Sequence, residues 1–95
     1  MPDGAIRWVR SSRVLWRRTT TGVALLPPGS EPPLTLTGSG AQLWDAVAAP
    51  LTLAETATLL AERHSVDPAV VTADVAPVLD ELARRGVLVP AGGAP

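Results

Sequence analysis

Apolar side chains recur every second residue, or in short runs, up to residue 36, and every third or fourth residue from about residue 43 onward. The chain therefore changes period once. Residues 13–18 alternate, with Val14 and Trp16 on one face, and residues 22–26 form a short apolar run; Thr19, Thr20 and Thr21 separate the two at hairpin distance. An antiparallel hairpin is expected. Pro27, Pro28, Pro32 and Pro33 deny ladder hydrogen bonding to the next stretch, which reads as a loop, and residues 34–36 follow as a third short strand.

Three helices should come next, each with its own start. Ser39 stands three residues before Gln42 and Thr52 three before Glu55, the spacing at which a hydroxyl and a later side chain cap each other's backbone amides. Asp67 followed by Pro68 is a cap with proline at the first helical position. The first helix presents Leu43, Trp44, Val47 and Ala48 inward and stops near Pro50; the second presents Leu53, Ala57, Leu60 and Ala61 and fades around His64 and Ser65. The third runs from Pro68 to about Arg85 with Val71, Val75, Val78, Leu79 and Leu82 inward and Gly86 as its stop; Pro77 inside it predicts a kink or a break. Val87, Leu88 and Val89 make a short apolar tail.

This order predicts an α+β domain, winged-helix-like: a three-stranded antiparallel sheet, then three helices, then the tail. Ninety-five residues hold one such domain with a modest core. Residues 13–90 are assigned to it, residues 1–12 to a flexible Arg-containing arm in which Ile6, Trp8 and Val9 could pair onto a sheet edge, and residues 91–95 to a disordered tail.

Composition narrows the chemistry. The chain is 46% hydrophobic without Phe, Tyr or Cys, so its core rests on aliphatic residues and Trp, and thiolate chemistry is excluded. No apolar run has the length of a signal peptide or a membrane span, and a cytoplasmic protein without membrane contact is expected. Five arginines against Asp3 give residues 1–20 a charge of +4, which leaves −5 for the rest: a basic arm on an acidic body.

One His and scattered carboxylates do not make a metal site, and His64 reads as a helix-end cation. Gly38-Ser39-Gly40 fits neither a nucleophile elbow nor a phosphate loop and reads as a tight strand-to-helix turn. Asp67, Asp74 and Glu81 repeat every seven residues along one helical face, as a solvated stripe or as the charged rim of a groove. Neither an enzyme nor a cofactor is expected. The alternative function, a winged-helix DNA-binding regulator, would put the third helix in the major groove. That helix carries Asp67, Asp74, Asp80 and Glu81 against Arg84 and Arg85, so it would repel phosphates, and no nucleic-acid partner is expected.

Taken together, Arg13-Val14-Leu15-Trp16-Arg17, Gly22-Val23-Ala24-Leu25-Leu26, Leu34-Thr35-Leu36-Thr37-Gly38 and Ala41-Gln42-Leu43-Trp44 resemble the PqqD-like family. So do Thr52-Leu53-Ala54-Glu55, Val66-Asp67-Pro68, Asp74-Val75 and the stretch around Gly86. The chain departs from the family at Thr35, where Asn is frequent, and at Ala49-Pro50, where an Asp-Gly turn is frequent. The resemblance implies a stand-alone, non-catalytic recognition element for ribosomally synthesised, post-translationally modified peptides. Such an element captures the leader segment of a precursor as an added antiparallel strand. It presents the precursor to a separate processing enzyme: a leader peptidase, a cyclase or a radical-SAM enzyme. Carried onto this chain, the edge is Leu34, Thr35, Leu36 and Thr37, and the helical wall is Val70, Asp74, Pro77, Val78 and Glu81.

Overall fold

The single change of period is the plan of the molecule. In the computed structural model, which describes residues 6–29 and 31–91, every strand of the main sheet precedes every helix. Strand β1 (Trp8–Arg10) comes first. It is followed by β2 (Leu15–Arg18), β3 (Gly22–Leu26) and β4 (Leu34–Thr37), then by helices α1 (Gly38–Ala46), α2 (Leu53–His64) and α3 (Pro68–Arg84), and last by β5 (Leu88–Pro90).

Strands β2, β3 and β4 form an antiparallel sheet in that order, with Leu15 opposite Leu26 and Val23 opposite Leu36. Alternation sends Val23 and Leu25 inward, where they meet Leu43, Trp44, Val47, Leu79, Leu82, Val87 and Leu88 in one core. A second cluster, Ala57, Leu60, Ala61, Val71 and Val75, joins α2 to α3. Ala48, expected inward, is exposed, because α1 ends at Ala46 and the helical period stops with it.

Two of the three helix starts follow the sequence. Thr52 and Glu55 form the reciprocal capping box, both bonds 3.0 Å long, and the Asp67 carboxylate accepts from the Ala69 amide at 2.8 Å. The first start differs: the cap is Thr37, without a side-chain bond, and Ser39 lies inside the helix. Gly38 makes the turn from strand to helix by itself, at φ 55°, a left-handed backbone that glycine adopts at little cost. At the other end of the helical region, the Gly86 amide donates to the Ala83 carbonyl and the Val87 amide to Leu82, a Schellman stop for α3. Pro77 neither breaks nor ends α3. The carbonyl it leaves without a helical donor belongs to Ala73, an exposed residue that water can serve.

Residues 8–10 depart from the expected flexible arm. They pair antiparallel with β5, Val9 opposite Val89, and Trp8 exchanges backbone bonds of 2.8 and 3.1 Å with Leu51. Trp8 and Val9 thus pair as strand residues, as their apolar character allows, but the partner strand is nearly the whole chain away and no local period identifies it. The apolar tail is thus the second strand of a small ribbon. Residues 1–5 of the expected arm and 92–95 of the expected tail lie outside the described residues.

Candidate functional site

The open side of β4 follows from the turn that begins β3. Thr19 donates its amide to the Gly22 carbonyl at 2.9 Å, and Gly22 donates to the Thr19 hydroxyl at 3.0 Å, so both backbone groups of Gly22 face β2. Alternation then turns those of Val23 and Leu25 toward β4, onto Leu36 and Leu34. The backbone groups of Thr35 face the other way, toward the unpaired edge. Leu34 and Leu36 point their half-buried side chains at the core, and Thr35 and Thr37 point theirs outward.

Helix α3 supplies the other wall. Val70, Asp74, Pro77 and Glu81 recur every three or four residues and share one side, with Val78 on the border between that side and the packed stripe. Val78 approaches β4 over Gly40: a Cβ on Gly40 would lie 3.7 Å from Val78 Cγ1 and 3.6 Å from Leu36 Cδ2. The bare Cα of Gly40 therefore forms the floor between strand and helix.

The two ends of α3 differ. At one, Val70 and Asp74 join Ser39, Gln42, Leu60, His64, Val66 and Val71 around a cavity of about 190 Å³. At the other, Arg85 bridges Glu81 (Nε to Oε2, 2.6 Å) and Glu31 (Nη1 to Oε1, 3.3 Å), tying the end of α3 to the segment that leads into β4. Arg85 and Arg84 both hold the Glu81 carboxyl below its ordinary range, the Arg85 hydrogen bond most strongly. Because Glu31 precedes β4 and Ser39 follows it, α3 and β4 run in opposite directions.

Of the nine residues assigned from the sequence, Leu34, Thr35, Leu36 and Thr37 form β4, and Val70, Asp74, Pro77 and Glu81 share one side of α3; Leu36 and Val78 meet over Gly40, whereas Val70 and Asp74 line a separate cavity that no β4 residue enters. The sequence reading missed Gly40, Glu31 and Arg85. The 3.6-residue period of α3 placed Arg85 on the side of Glu81, but its bond to Glu31 crosses the chain and leaves no local signal.

Three of the five arginines of the basic arm are engaged, while Arg13 and Arg17 meet no carboxylate among the described residues. Arg7 pairs with Glu55, and Arg10 and Arg18 converge on Asp45, at 3.8 and 2.7 Å. The Arg10 guanidinium lies over both indoles of the Trp16–Trp44 corner, 4.7 Å from the Trp16 centroid and 4.6 Å from that of Trp44, and its Nε donates to the Trp44 carbonyl at 3.0 Å. These side chains are spent on the fold and do not form a free cationic face for phosphates. No group of His and acidic residues suited to a metal ion occurs among the described residues, and no helix there is long and apolar enough to cross a membrane.

Comparison with known proteins places this architecture. The model of the family described as coenzyme PQQ synthesis protein D (PqqD) matches residues 22–88. No curated protein matches the sequence. Among solved structures, the PqqD portion of Methylobacterium extorquens PqqCD is 26% identical with a TM-score of 0.74, over 92% of this chain and 93% of that one. It is a functional, stand-alone recognition element for ribosomally synthesised and post-translationally modified peptides. TbiB1, solved in complex with the TbiA(beta) leader peptide, shares the fold at 23% identity and a TM-score of 0.72, over 92% of this chain and 99% of that one.

Proposed function

The chain belongs to the PqqD family, and from that premise we propose that it is a leader-peptide recognition element that binds its precursor on the open edge of β4. The observation that carries this reading is the edge itself: β4 is the outer strand of its sheet, and among the described residues the backbone groups of Thr35 on its far side from β3 have no strand partner. Strand addition draws affinity from main-chain hydrogen bonds and selectivity from the side chains beside them. Here the flanking surface is apolar at Leu34, Leu36 and Val78 and acidic at Asp74, with Glu31 and Glu81 at the far end. An added strand runs antiparallel to β4.

The chain performs no chemistry of its own in this reading. It holds the leader and raises the local concentration of the attached core segment at a separate cytoplasmic enzyme, a leader peptidase, cyclase or radical-SAM enzyme. The acidic face of α3 opposes the DNA-binding alternative, since it would repel phosphates, and three of the arm's arginines, Arg7, Arg10 and Arg18, are already engaged with carboxylates.

Calorimetric titration with a synthetic leader from the precursor encoded nearest its gene tests the proposal, with a scrambled leader as control. Binding near micromolar, about −8 kcal/mol, and little changed by salt is the expected outcome. Absence of leader binding, together with salt-sensitive binding to duplex DNA, would overturn it.

A further inference from the structure

The solvent face of the three-stranded sheet is unusual for its apolar content. By alternation it carries Leu15 and Arg17 from β2, Ala24 and Leu26 from β3, and Thr35 from β4. Leu15 and Leu26 are cross-strand partners, yet they are 68% and 49% exposed. With Ala24, Pro33 and Thr35 they line a cavity of about 230 Å³. A sheet with one face in water ordinarily carries polar residues there, and a paired, exposed apolar surface marks an interaction site.

Arg17 lies on this face beside Leu15. Arg7, Arg10, Arg18, Arg84 and Arg85 all pair with carboxylates, whereas Arg17, like Arg13 and Arg63, has no such partner among the described residues, and of these three only Arg17 lies on this face. The patch is therefore apolar at its centre and cationic at its border, and β2, β3 and β4 place no carboxylate on it. A second copy docking through the same face would set Arg17 against a surface without a negative charge. The face suits a different protein, one with an apolar surface bordered by Asp or Glu.

Its position identifies that protein. A strand added antiparallel to β4 enters beside Ser39 and leaves beside Leu34 and Pro33, and Pro33 also lines the patch. The segment of precursor that follows the leader thus emerges at the corner where the patch begins. We propose that the outer sheet face centred on Leu15 and Leu26 docks the enzyme that processes the precursor, through an apolar surface bordered by carboxylates. This inference rests on the leader-capture reading, and it places the enzyme at the peptide's exit without covering the cleft.

The test uses the full chain, the purified processing enzyme encoded beside its gene, and the synthetic precursor. The variants are the Leu15→Glu/Leu26→Glu double substitution and Arg17→Glu alone; all three positions face solvent, and circular dichroism and melting confirm folding. The expected result is leader affinity unchanged within about two-fold in both variants, with stimulation of precursor processing reduced about ten-fold or more. Stimulation within about two-fold of wild type in both variants overturns the docking face. So does a wild-type dimer that both variants dissociate while stimulation persists, because the face would then join two copies. Failure of the wild-type chain to bind the leader is a separate result that overturns the capture reading, and it is read by calorimetry before any enzyme is added.

Discussion

The carbonyl oxygen of Leu36 occupies the space beside Gly22 that any other residue would need: a Cβ on Gly22 would lie 1.9 Å from it. Strand β4, the edge assigned to the peptide, is held this close to β3 only because Gly22 has no side chain. Gly22→Ala is expected to push β4 away and cost about 3 kcal/mol in denaturant melts. Gly40→Ala provides the contrast. Its methyl would meet Leu36 and Val78 at ordinary van der Waals distance, so stability should hold or rise by about 0.5 kcal/mol.

Strand addition at β4 can be separated from the integrity of β4. The Thr35 amide faces the open edge, so Thr35→Pro removes a donor that the fold does not use. Leader affinity measured by calorimetry should fall about ten-fold while the melting temperature changes little. Leu36→Pro removes a donor directed at β3 and should melt the sheet instead. Equal leader affinity in wild type and Thr35→Pro would rule out the β4 edge as the docking strand.

Arg10 joins β1 to the aromatic pair, since Trp16 and Trp44 meet edge to face at 5.6 Å and the guanidinium covers both. Arg10→Ala should cost about 2 kcal/mol in chemical denaturation, with a change in tryptophan emission. Arg10→Lys should recover only part of this, because a point charge cannot reproduce the planar stack together with the Nε bond to the Trp44 carbonyl.

Thr56 is fully buried in α2, and its hydroxyl has no hydrogen-bond partner among the described residues. Thr56→Val keeps the shape and removes the unsatisfied group. An increase of about 1 kcal/mol in unfolding free energy is expected, read as a shift of the urea midpoint at constant slope.

Acid should destabilise the fold through two glutamates. The Thr52 amide, then Arg7, holds the Glu55 carboxyl below its ordinary value of 4.5, and Arg85 leads the same effect on Glu81. A carboxyl depressed in the folded state contributes its full stabilisation above 4.5 and loses it as pH falls through the depressed value. Melting temperature should therefore decline as pH drops below that range. The decline should be shallower in Glu55→Gln and Glu81→Gln, and an unchanged profile in both would show that other carboxylates govern acid unfolding.

What the sequence made legible was whatever is encoded within a few residues. The Thr52–Glu55 box, the Asp67–Pro68 start and the Gly86 stop are local bonding patterns, and each stands in the structure as its residues dictate. The alternation of residues 13–18 set Val14 and Trp16 on the face that meets the core, whereas the apolar run of β3 marked no face of its own. What was hidden depends on distant partners: β1 is three residues long and meets β5 near the other end of the chain. The cap of α1 was misplaced because Gly38 turns the chain by its own backbone, a property that competes with the side-chain signal of Ser39. The positions assigned to peptide binding came from the family resemblance alone, while the approach of Leu36 and Val78 over Gly40 and the Glu31–Arg85 bond required coordinates.

The ribbon of β1 and β5 has a consequence for covalent assembly. The Ala91 amide donates to the Arg7 carbonyl at 2.8 Å, so the chain enters and leaves the domain through one doorway. A host polypeptide can be opened at a surface loop and resealed around this unit with almost no gap to bridge. Neither β4 nor α3 takes part in that ribbon, so grafting through the doorway leaves the proposed peptide cleft exposed. Such closely placed ends would let the domain be inserted in a longer chain as readily as it stands alone.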